Sequence, residues 1–538
     1  MIRKITMLLL LLLTINSYAQ EDAWVYLTDK PNEAAALANP ISILTQKAID
    51  RKQNHGVAID ARDVPVHEAY ISDLKTQSGI TVLAKSKWFN AVHVRGSEAD
   101  ISALSVLPYI DMIDFANNSL DASSRSSNSQ VNSDIEDETV DFTYGNTQNQ
   151  VEMINADNLH VDDFTGEGFT IAVMDSGFPN VNTMAAFQRL RDNGDLLDGY
   201  DFVSRNADVY ANTASSHGTR VLSTMAGFIQ DQFVGTAPDA SYYLFLTEDA
   251  TSENPVEESY WVEAAERADS LGVDMINTSL GYRVFDNPNY DYTPADMDGQ
   301  TTYITKGASI AAEKGILVVV SAGNSGATAW QTVGAPADSP EVLSIGAVDE
   351  NGQYVNFSSQ GGTAQVGYQK PDVVARGGLA FVVNENNTIV QNNGTSFSSP
   401  ILCGGIASLW QAIPDATPTE VMDFIRQSAS QFTMPDDFLG FGIPDLAMAR
   451  SLGLGETSIE NINIYPNPVK DNLYVELPTQ LVNSEVSIYN QLGQKVLQTE
   501  LNTNSEAINV ESLEAGFYVL KLSSETNFRT FKFVRCSN

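Results

Sequence analysis

Compact apolar strands alternate with helices in the middle of this chain, between about residues 151 and 452. The strand segments are mostly apolar along their whole length and lie at residues 169–174, 242–246, 273–277, 316–320 and 342–348. Helical stretches lie between several of them, at residues 256–271, at residues 304–314 and in the segment that starts at His217. Parallel strands are buried on both faces and need crossover helices. The pattern therefore predicts an α/β domain with a parallel sheet and helices on both faces.

Two polar residues follow strands of this predicted sheet. Asp175 comes directly after the strand at residues 169–174, and Asn324 comes shortly after the strand at residues 316–320. Ligand sites in parallel sheets gather outside the carboxyl ends of the strands, which favours a functional role for both residues. The alternative for each is a structural turn, because Asp-Ser-Gly and Asn-Ser-Gly are common turn sequences.

A serine-rich heptad at residues 394–400 precedes a strongly apolar segment at residues 401–410, which predicts a buried helix. Ser396 would then lie at the helix N-terminus, where the helix dipole stabilises a developing negative charge. Pro400 is predicted in or near the first helical turn, where its missing N–H has the least effect. The alternative is a helix cap without chemistry, since serine and threonine are ordinary capping residues.

His217 starts an amphipathic stretch and is one of only five histidines in the chain. A lone histidine is more often structural than catalytic, but Asp175, His217 and Ser396 follow one another in that order. A hydroxyl nucleophile needs a base to take its proton and a carboxylate to orient that base. The order Asp, His, Ser separates this arrangement from the two other common serine-hydrolase orders. Asn324 and the Ser396 backbone N–H would supply hydrogen-bond donors for an oxyanion.

Five sequence blocks resemble those of the subtilisin-like serine proteases, the subtilases. The blocks are VMDSG at residues 173–177, HGTRV at 217–221, INTSLG at 276–281, AGN at 322–324 and GTSFSSP at 394–400. The resemblance covers roughly residues 141–453 and implies a subtilisin-like parallel sheet. It implies that Ser396 is the nucleophile, His217 the general acid and base, Asp175 its orienting partner and Asn324 the oxyanion donor. It also implies that Ser279, Leu280 and Gly281 pair with the substrate backbone beside Ala322 and Gly323.

Two departures from the subtilase pattern concern the shape of the cleft. Arg376 stands where the family usually has proline, at the end of the segment KPDVVA at residues 370–375. Residues 285–301 look like an insertion near the substrate cleft. The side-chain preference of the site depends on pocket walls near residues 279–283 and 322–337, and the sequence does not give their geometry.

The region before the predicted sheet is expected to be a small α+β domain. Strands are predicted at residues 81–84 and 90–94 and a helix at residues 98–107. This region resembles a subtilase propeptide, most closely at residues 88–92 and 104–113. The resemblance implies a domain over residues 20–122 that assists folding and acts as an intramolecular inhibitor. A polar linker is predicted at residues 123–140, because its composition cannot bury a core.

The last part of the chain, residues 458–538, is predicted to be a small all-β sandwich of short alternating strands. It resembles the type IX secretion sorting domain of Bacteroidetes through residues 465–468 and 513–518. Residues 1–19 combine a basic start, an apolar stretch and small residues before Gln20, which predicts a signal peptide. No later run is long enough for a spanning helix. The chain is therefore expected to be secreted or held at the cell surface, with the type IX secretion machinery as a partner.

An acidic balance limits the partners that this chain can have. Its 68 acidic residues against 30 basic ones give a formal net charge of −38, which argues against nucleic acid or an anionic membrane. The excess is expected to form a solvated surface, and structural calcium is the alternative, with no position assigned. No cofactor is expected for the chemistry. Cys403 is expected to be a small buried side chain, and a bridge to Cys536 is not expected, since the two lie in different predicted domains.

Together these patterns predict a secreted serine endopeptidase, with a peptidase domain over residues 141–453 and protein or peptide substrates. Two alternatives stay open. One is a catalytically silent surface protein that binds ligands with a subtilase-like fold. The other is an esterase or peptide ligase built on the same fold, because acyl transfer needs the same residues.

Overall fold

The computed structural model describes residues 20–120, 142–457 apart from 363 and 366, 463–476, 484–490, 495–523 apart from 502 and 504, and 528–536. The predicted signal peptide and the predicted linker both lie outside these residues. The chain forms two compact units, one up to Ala449 and one from Arg450 onward. The first unit contains both an N-terminal domain, residues 20–120, and a central domain that starts at residue 142.

The N-terminal domain is a four-stranded antiparallel sheet with short helices, as the α+β prediction requires. Its strands are β1 (Gln20–Leu27), β2 (Thr81–Ser86), β3 (Ala91–Ser97) and β4 (Ile110–Phe115), in the order β2-β3-β1-β4. Its helices are α1 (Glu33–Leu37), α2 (Gln46–Asn54), α3 (Glu68–Leu74) and α4 (Glu98–Ala103). The helix predicted at residues 98–107 ends early, because a 3-10 turn at Leu104–Val106 follows α4. Strands β1 and β4 were not among the predicted elements.

The central domain is built on a seven-stranded parallel sheet, which confirms the predicted fold class. Its strands are β5 (Thr170–Asp175), β6 (Leu196–Asp201), β9 (Ser241–Leu246), β10 (Met275–Thr278), β11 (Leu317–Ser321), β12 (Leu343–Val348) and β13 (Val373–Arg376). The order is β13-β12-β11-β10-β5-β9-β6, so β5 lies inside the sheet with β10 and β9 as neighbours. Two small hairpins are formed by β7 (Phe228–Ile229) with β8 (Phe233–Val234) and by β14 (Ala380–Val383) with β15 (Ile389–Asn392).

Helices cover the sheet, and the longest of them pack in pairs. They are α5 (Gln148–Glu152), α6 (Ala156–Val161), α7 (Gln188–Asp192), α8 (His217–Ala226), α9 (Val256–Leu271), α10 (Tyr303–Glu313), α11 (Thr395–Ala412), α12 (Pro418–Gln427) and α13 (Leu446–Thr457). Helix α9 packs against α10, and α8 packs against α11. Ala172 and Met174 of β5 share one apolar cluster with Trp261 of α9 and Ile304 of α10. The alternate residues Ile171 and Val173 are also fully buried, as expected for a strand covered on both faces.

Helix α11 is longer than the predicted apolar segment and begins at Thr395. Ser396 is therefore the second residue of the helix, as the sequence predicts. The position predicted for Pro400 is wrong, because Pro400 is the sixth helical residue and lies beyond the first turn. A proline there removes the N–H that would bond to the carbonyl of Ser396, four residues earlier.

The N-terminal domain packs on α9 and α10 of the central domain through an apolar cluster that includes Trp24 and Tyr303, and through buried charged groups on α9. Arg51 and Lys52 reach the Asp269 carboxylate at 2.6 and 2.7 Å, and all three side chains are almost completely buried. Glu266 accepts the backbone N–H groups of Lys87 and Trp88 at 2.9 and 3.0 Å. The contact thus joins carboxylates of the central domain to cations and N–H groups of the N-terminal domain.

The unit from Arg450 contains two antiparallel sheets around one apolar core, in agreement with the all-β prediction. The strands are β16 (Asn463–Tyr465), β17 (Asn472–Glu476), β18 (Ser484–Tyr489), β19 (Lys495–Leu501), β20 (Ser505–Asn509), β21 (Gly516–Ser523) and β22 (Phe528–Arg535). One sheet has the order β16-β17-β20 and the other β19-β18-β21-β22. Val475, Ile488 and Leu520 are fully buried between them. Within the described part of the chain, no helix is long and apolar enough to cross a membrane.

Candidate active site

Asp175 is the last residue of β5, and its side chain is fully buried. Its carboxylate accepts a hydrogen bond from the His217 ring at Nδ1, with distances of 2.9 and 3.0 Å to the two oxygens. It also accepts the backbone N–H of Ser176 at 2.7 Å. The hydrogen bond at Nδ1 therefore fixes the orientation of the imidazole and leaves Nε2 for another group.

His217 is the first residue of α8, and its side chain is 30% exposed, so the ring is accessible from solvent. Gly218 allows the helix to approach the turn after β5, because a Cβ there would lie 2.7 Å from the Gly177 carbonyl oxygen. Burial disfavours the charged imidazole, but the charge and hydrogen bond of Asp175 outweigh it and raise the pKa of His217. The Asp175 carboxylate thus holds the His217 ring in place, and the ring lies where solvent can reach it.

Ser396 and Ser279 are joined by two hydrogen bonds. The Ser396 hydroxyl donates to the Ser279 carbonyl at 3.2 Å, and the Ser279 hydroxyl donates to the Ser396 carbonyl at 3.0 Å. The Ser396 carbonyl is available for this bond because Pro400 has no N–H to offer it. In this resting arrangement the Ser396 hydroxyl points to Ser279 instead of His217, and a rotation about its Cα–Cβ bond is needed before proton transfer.

Asn324 lies in the loop after β11, where Gly323 adopts a positive φ of 105° that favours glycine. The Asn324 side-chain oxygen accepts hydrogen bonds from the Thr395 N–H at 2.9 Å and from the Thr395 hydroxyl at 3.2 Å. Since the oxygen is held in this way, the amide NH₂ group remains as a donor. Asn324 and Ser396 both line the two cavities at this edge of the sheet.

The two cavities bring all the predicted site residues of the central domain together except Asp175, which is buried behind His217. The first, of about 220 Å³, is lined by Ser279, Leu280, Gly281, Arg283, Ser321, Ala322, Gly323, Asn324, Ser325, Gly334, Ser359 and Ser396. The second, of about 530 Å³, is lined by Ala214, Ser215, Ser216, His217, Arg220, Asn324, Asn392, Asn393, Ser396 and Phe397. The chemical roles of these residues stay predictions, and their arrangement suits a nucleophile, a base and oxyanion donors.

The sequence did not single out several residues of these walls. Arg283 lies in the wall segment named above, at residues 279–283, but its charge was not considered. Phe397 places its ring 5.9 Å from the imidazole of His217. Ser215 accepts the backbone N–H of His217 at 3.2 Å and so caps the start of α8. A hydroxyl two residues before a histidine at a helix start is a signal that could have identified Ser215.

Neither departure from the subtilase pattern supplies a residue that lines the two cavities, among the described residues. Arg376 is almost buried and donates to the Asn149 side-chain oxygen at 2.7 Å and to the Leu379 carbonyl at 3.0 Å. In the segment 285–301, Tyr290 donates to Glu21 of the N-terminal domain at 3.1 Å. The Tyr292 N–H donates to the carbonyl of Arg283 in the wall of the first cavity at 2.9 Å. The effect of this segment on the shape of the cleft stays a prediction.

Two further predictions concern a metal ion and Cys403. No group of three or more His, Cys, Asp or Glu side chains is positioned to hold a metal ion within the part of the chain that the structure describes. The calcium alternative therefore stays a prediction without a position. Cys403 is free and fully buried, and burial raises the pKa of its thiol. Cys403 is thus an unreactive core residue, as the sequence predicts.

Three protein-family models match the chain in succession. The Peptidase S8 propeptide domain of Bacteroidota matches residues 22–133, and the Subtilase family matches residues 166–442, more than half of the chain. The Secretion system C-terminal sorting domain matches residues 463–535.

Individual relatives match mainly in the central domain. Subtilisin E of Bacillus subtilis (strain 168) is 30% identical over 286 residues, which is 52% of this chain and 65% of that protein. Serine protease AprX of the same organism is 28% identical over 303 residues, which is 51% of this chain and 63% of that protein. The matches therefore span slightly less than two thirds of either relative. Among solved structures, the MycP3 protease from the type VII (ESX-3) secretion system is 22% identical with a TM-score of 0.46, over 57% of this chain and 88% of that chain.

Proposed function

The chain belongs to the Subtilase family, and we propose that it is a secreted serine endopeptidase that forms an acyl-enzyme. The observation that carries the proposal is the buried Asp175 carboxylate bound to His217, whose ring shares a cavity with Ser396 and Asn324. The C-terminal sorting domain marks the chain for export to the cell surface or the medium. Membership of the family supports a serine peptidase. Ser396, His217, Asp175 and Asn324 provide the nucleophile, the base, its orienting carboxylate and the oxyanion donor that peptide hydrolysis needs.

The proposed reaction begins when a peptide carbonyl enters the cavity beside Ser396. The Ser396 hydroxyl turns from Ser279 toward His217, which takes its proton as the oxygen attacks the carbonyl carbon. The amide of Asn324 and the Ser396 backbone N–H then stabilise the negative oxygen of the tetrahedral adduct. His217 returns the proton to the leaving amine, and water hydrolyses the acyl-enzyme by the same route. These steps use the side chains of the site, the Ser396 backbone N–H and water, and we propose that they require no cofactor.

Substrate would bind in the extended form along residues 279–281. Gly281 is exposed, and Ser279 to Gly281 line the first cavity on one side while Ala322 and Gly323 line it on the other. An extended peptide between these two segments would pair with backbone N–H and C=O groups, which is recognition by strand addition. We therefore propose protein or peptide substrates, with a side chain of the substrate seated in the first cavity.

The N-terminal domain is a subtilase propeptide by its family match, and we propose that it acts as the enzyme's own inhibitor. Its contacts on α9 hold it on the central domain through charged pairs. Among the described residues, none from 20–120 lines either cavity. The type IX secretion machinery is the partner proposed for the sorting domain.

The proposal is tested by fluorophosphonate labelling and casein hydrolysis of the secreted protein and of Ser396→Ala. Labelling should disappear in Ser396→Ala, and kcat should fall by on the order of 10⁶, a magnitude known for subtilisin itself. Ser398→Ala is the matched control, because the Ser398 hydroxyl only donates to the Thr395 carbonyl of its own helix. That variant should label and cleave like wild type.

Other results would select among the alternatives. Labelling together with ester hydrolysis or peptide ligation, but without casein cleavage, would favour the esterase or ligase. The hydrogen bond from Ser396 to Ser279 is the one observation that favours a catalytically silent binding protein. A wild-type protein that neither labels nor cleaves after removal of the N-terminal domain would establish that alternative.

A further inference from the structure

The first cavity beside Ser396 has one charged residue in its wall, and that residue is Arg283. The other lining residues are serines, glycines, an alanine, Leu280 and Asn324, and none of them is acidic. The cavity is therefore lined mostly by small residues, many of them polar, and it carries a single positive charge. A substrate side chain that enters it meets a guanidinium and serine hydroxyls instead of an apolar surface.

The Arg283 guanidinium has hydrogen-bonding capacity to spare. Among the arginines whose side chains the structure describes, it alone makes neither an ion pair nor a hydrogen bond. This is unusual in a chain with 68 acidic and 30 basic residues, where a carboxylate partner is easy to supply. A guanidinium carries five N–H donors in a planar fork that suits a carboxylate. Arg283 lines the cavity, and none of these donors is used by another described residue.

The position of Arg283 is nevertheless fixed. Its guanidinium carbon lies 5.8 Å from the ring centre of Trp330, within the range of a cation–π contact. Its backbone carbonyl accepts the N–H of Tyr292 at 2.9 Å. The Trp330 ring contacts the guanidinium of Arg283 without occupying its N–H donors. The guanidinium is therefore oriented, and its donors are free for a ligand.

Two acidic residues lie near Arg283 without neutralising it. The charge of Arg283 lowers the pKa of Glu253, although burial and Asp286 raise that pKa more strongly. Neither Glu253 nor Asp286 is within ion-pair distance of Arg283, and neither lines the cavity. A substrate carboxylate inside the cavity would come closer to the guanidinium than these groups do.

We propose that Arg283 makes the enzyme prefer substrates with an acidic side chain in the first cavity, at the residue whose carbonyl Ser396 attacks. This inference rests on the proposed function, because it assigns a specificity to that reaction. The glutamate or aspartate carboxylate would accept paired hydrogen bonds from Arg283 and further bonds from the serine hydroxyls of the wall. Lysine and arginine at the same position would be repelled.

The test compares kcat/KM for four peptides that differ only before the scissile bond, where they carry Glu, Gln, Leu or Lys. The full chain is used after limited proteolysis in the linker. Wild type should prefer Glu to Gln by about ten- to hundredfold, the effect of one hydrogen bond to a charged group. Arg283→Gln should make the two rates similar, Arg283→Lys should keep part of the preference, and Arg283→Glu should favour the Lys peptide.

Fluorophosphonate labelling of each variant shows whether the nucleophile and the fold are intact. Arg267→Gln is the control for loss of a charge elsewhere, since Arg267 pairs with Asp198 and does not line the cavity. It should keep the wild-type preference. If all variants label normally but wild type shows no preference for the Glu peptide, the role of Arg283 is overturned and the proposed function is not. The same holds if Arg283→Gln keeps the wild-type preference. Absence of labelling and cleavage in wild type would overturn the proposed function as well.

Discussion

Asp175 and Asp269 are both buried carboxylates that face basic groups, but their partners differ in number and in origin. Asp175 holds one imidazole, His217, which belongs to the same domain. Asp269 faces three cations, and Arg51, Lys52 and Lys87 all come from the N-terminal domain. The proposed catalytic pair is thus complete within the central domain, whereas the charge of Asp269 is balanced only while the N-terminal domain is bound.

The ion pairs at Asp269 are only one part of the contact with the N-terminal domain, because apolar side chains form the other part. Trp24 stacks on Tyr303 of α10 with ring centres 4.5 Å apart, and Trp24 and Trp88 belong to the apolar cluster that contains Trp261 of α9. The apolar contacts supply favourable burial. Buried ion pairs add little net stability, but they are costly to break by removal of one partner.

The largest expected effect comes from breaking the catalytic pair with Asp175→Asn. Since the amide cannot hold the imidazole in the required tautomer, kcat should fall by about 10⁴. The pH profile should move as well. The neutral form of His217 is the base, so a raised pKa means that activity is lost as the pH falls through that raised value. Without the Asp175 charge this loss should occur at lower pH, which a pH profile of kcat would measure.

The binding of the N-terminal domain should be unchanged in Asp175→Asn, because none of its contacts on α9 involves Asp175. Dissociation of the domain in that variant would contradict the separation of the two regions.

The second effect comes from Asp269→Asn, which removes the ion-pair carboxylate of the buried Arg51 and Lys87, while Lys52 keeps Asp63 at 3.1 Å. Removal of one partner from a buried ion pair costs about 3–5 kcal/mol, so the N-terminal domain should bind about 10²- to 10³-fold more weakly. The measurement uses the Ser396→Ala background and trypsin, because Arg125 is the one basic residue in the segment 121–141. Co-elution of the two nicked parts on size exclusion, as a function of concentration, gives the affinity.

Lys47→Ala is the matched control for an exposed pair in the same interface. The Lys47 side chain is 44% exposed and lies 2.8 Å from Asp274, so its loss should weaken binding only a few-fold, by about 0.2–1 kcal/mol. Equal effects of the two variants would show that burial does not set the strength of these pairs. Once it is free of the N-terminal domain, Asp269→Asn should have wild-type activity.

The smallest effect concerns the pH dependence of the same interface. Burial raises the pKa of Glu266 to about 7, against an ordinary value of 4.5. Because the complex then holds a proton more tightly than the separated parts, binding is strongest below the ordinary pKa and weakens as the pH rises to about 7. The nicked chain should therefore dissociate more readily at pH 7 than at pH 5, by up to about a hundredfold. Glu266→Gln should remove this dependence.

Asp269 does not mask the effect, since its pKa is held below the usual range by the three cations and it stays charged throughout. Co-elution in the Ser396→Ala background at pH 5, 6 and 7 measures the trend. Tighter binding of the wild type at pH 7 than at pH 5 would contradict the assigned role of Glu266.

Much of the central sheet was predictable because its inner strands are apolar along their whole length. Two of the strands that escaped prediction lie at sheet edges, whereas a third, β1, lies inside the sheet of the N-terminal domain. Strand β4, with the sequence IDMIDF, ends the sheet of the N-terminal domain, and β6, with the sequence LLDGYD, ends the central sheet. An edge strand has one neighbour and a solvated side, so it carries polar residues that hide the apolar signal. The helix bounds of α9 were predicted to the residue, since Pro255 and Gly272 flank it.

The candidate site was predictable as a set of residues and less so as an arrangement. The motifs placed Asp175, His217, Asn324 and Ser396 at strand ends and helix starts, where the structure also has them. The hydrogen bond between Ser396 and Ser279 could not be foreseen, because it depends on a side-chain rotamer set by contacts between distant segments. The open guanidinium of Arg283 is likewise a property of what surrounds it, and no local pattern encodes the absence of a partner.

Pro400 leaves the Ser396 carbonyl of helix α11 free to accept a hydrogen bond from another segment. In a helix with an ordinary residue at this position, the Ser396 carbonyl would bond along its own axis. The missing N–H leaves that carbonyl for the Ser279 hydroxyl, so the turn that carries Ser396 gains one more tie to the segment proposed to hold the substrate. This tie adds to the bond from the Ser396 hydroxyl to the Ser279 carbonyl and to the bonds between Thr395 and Asn324.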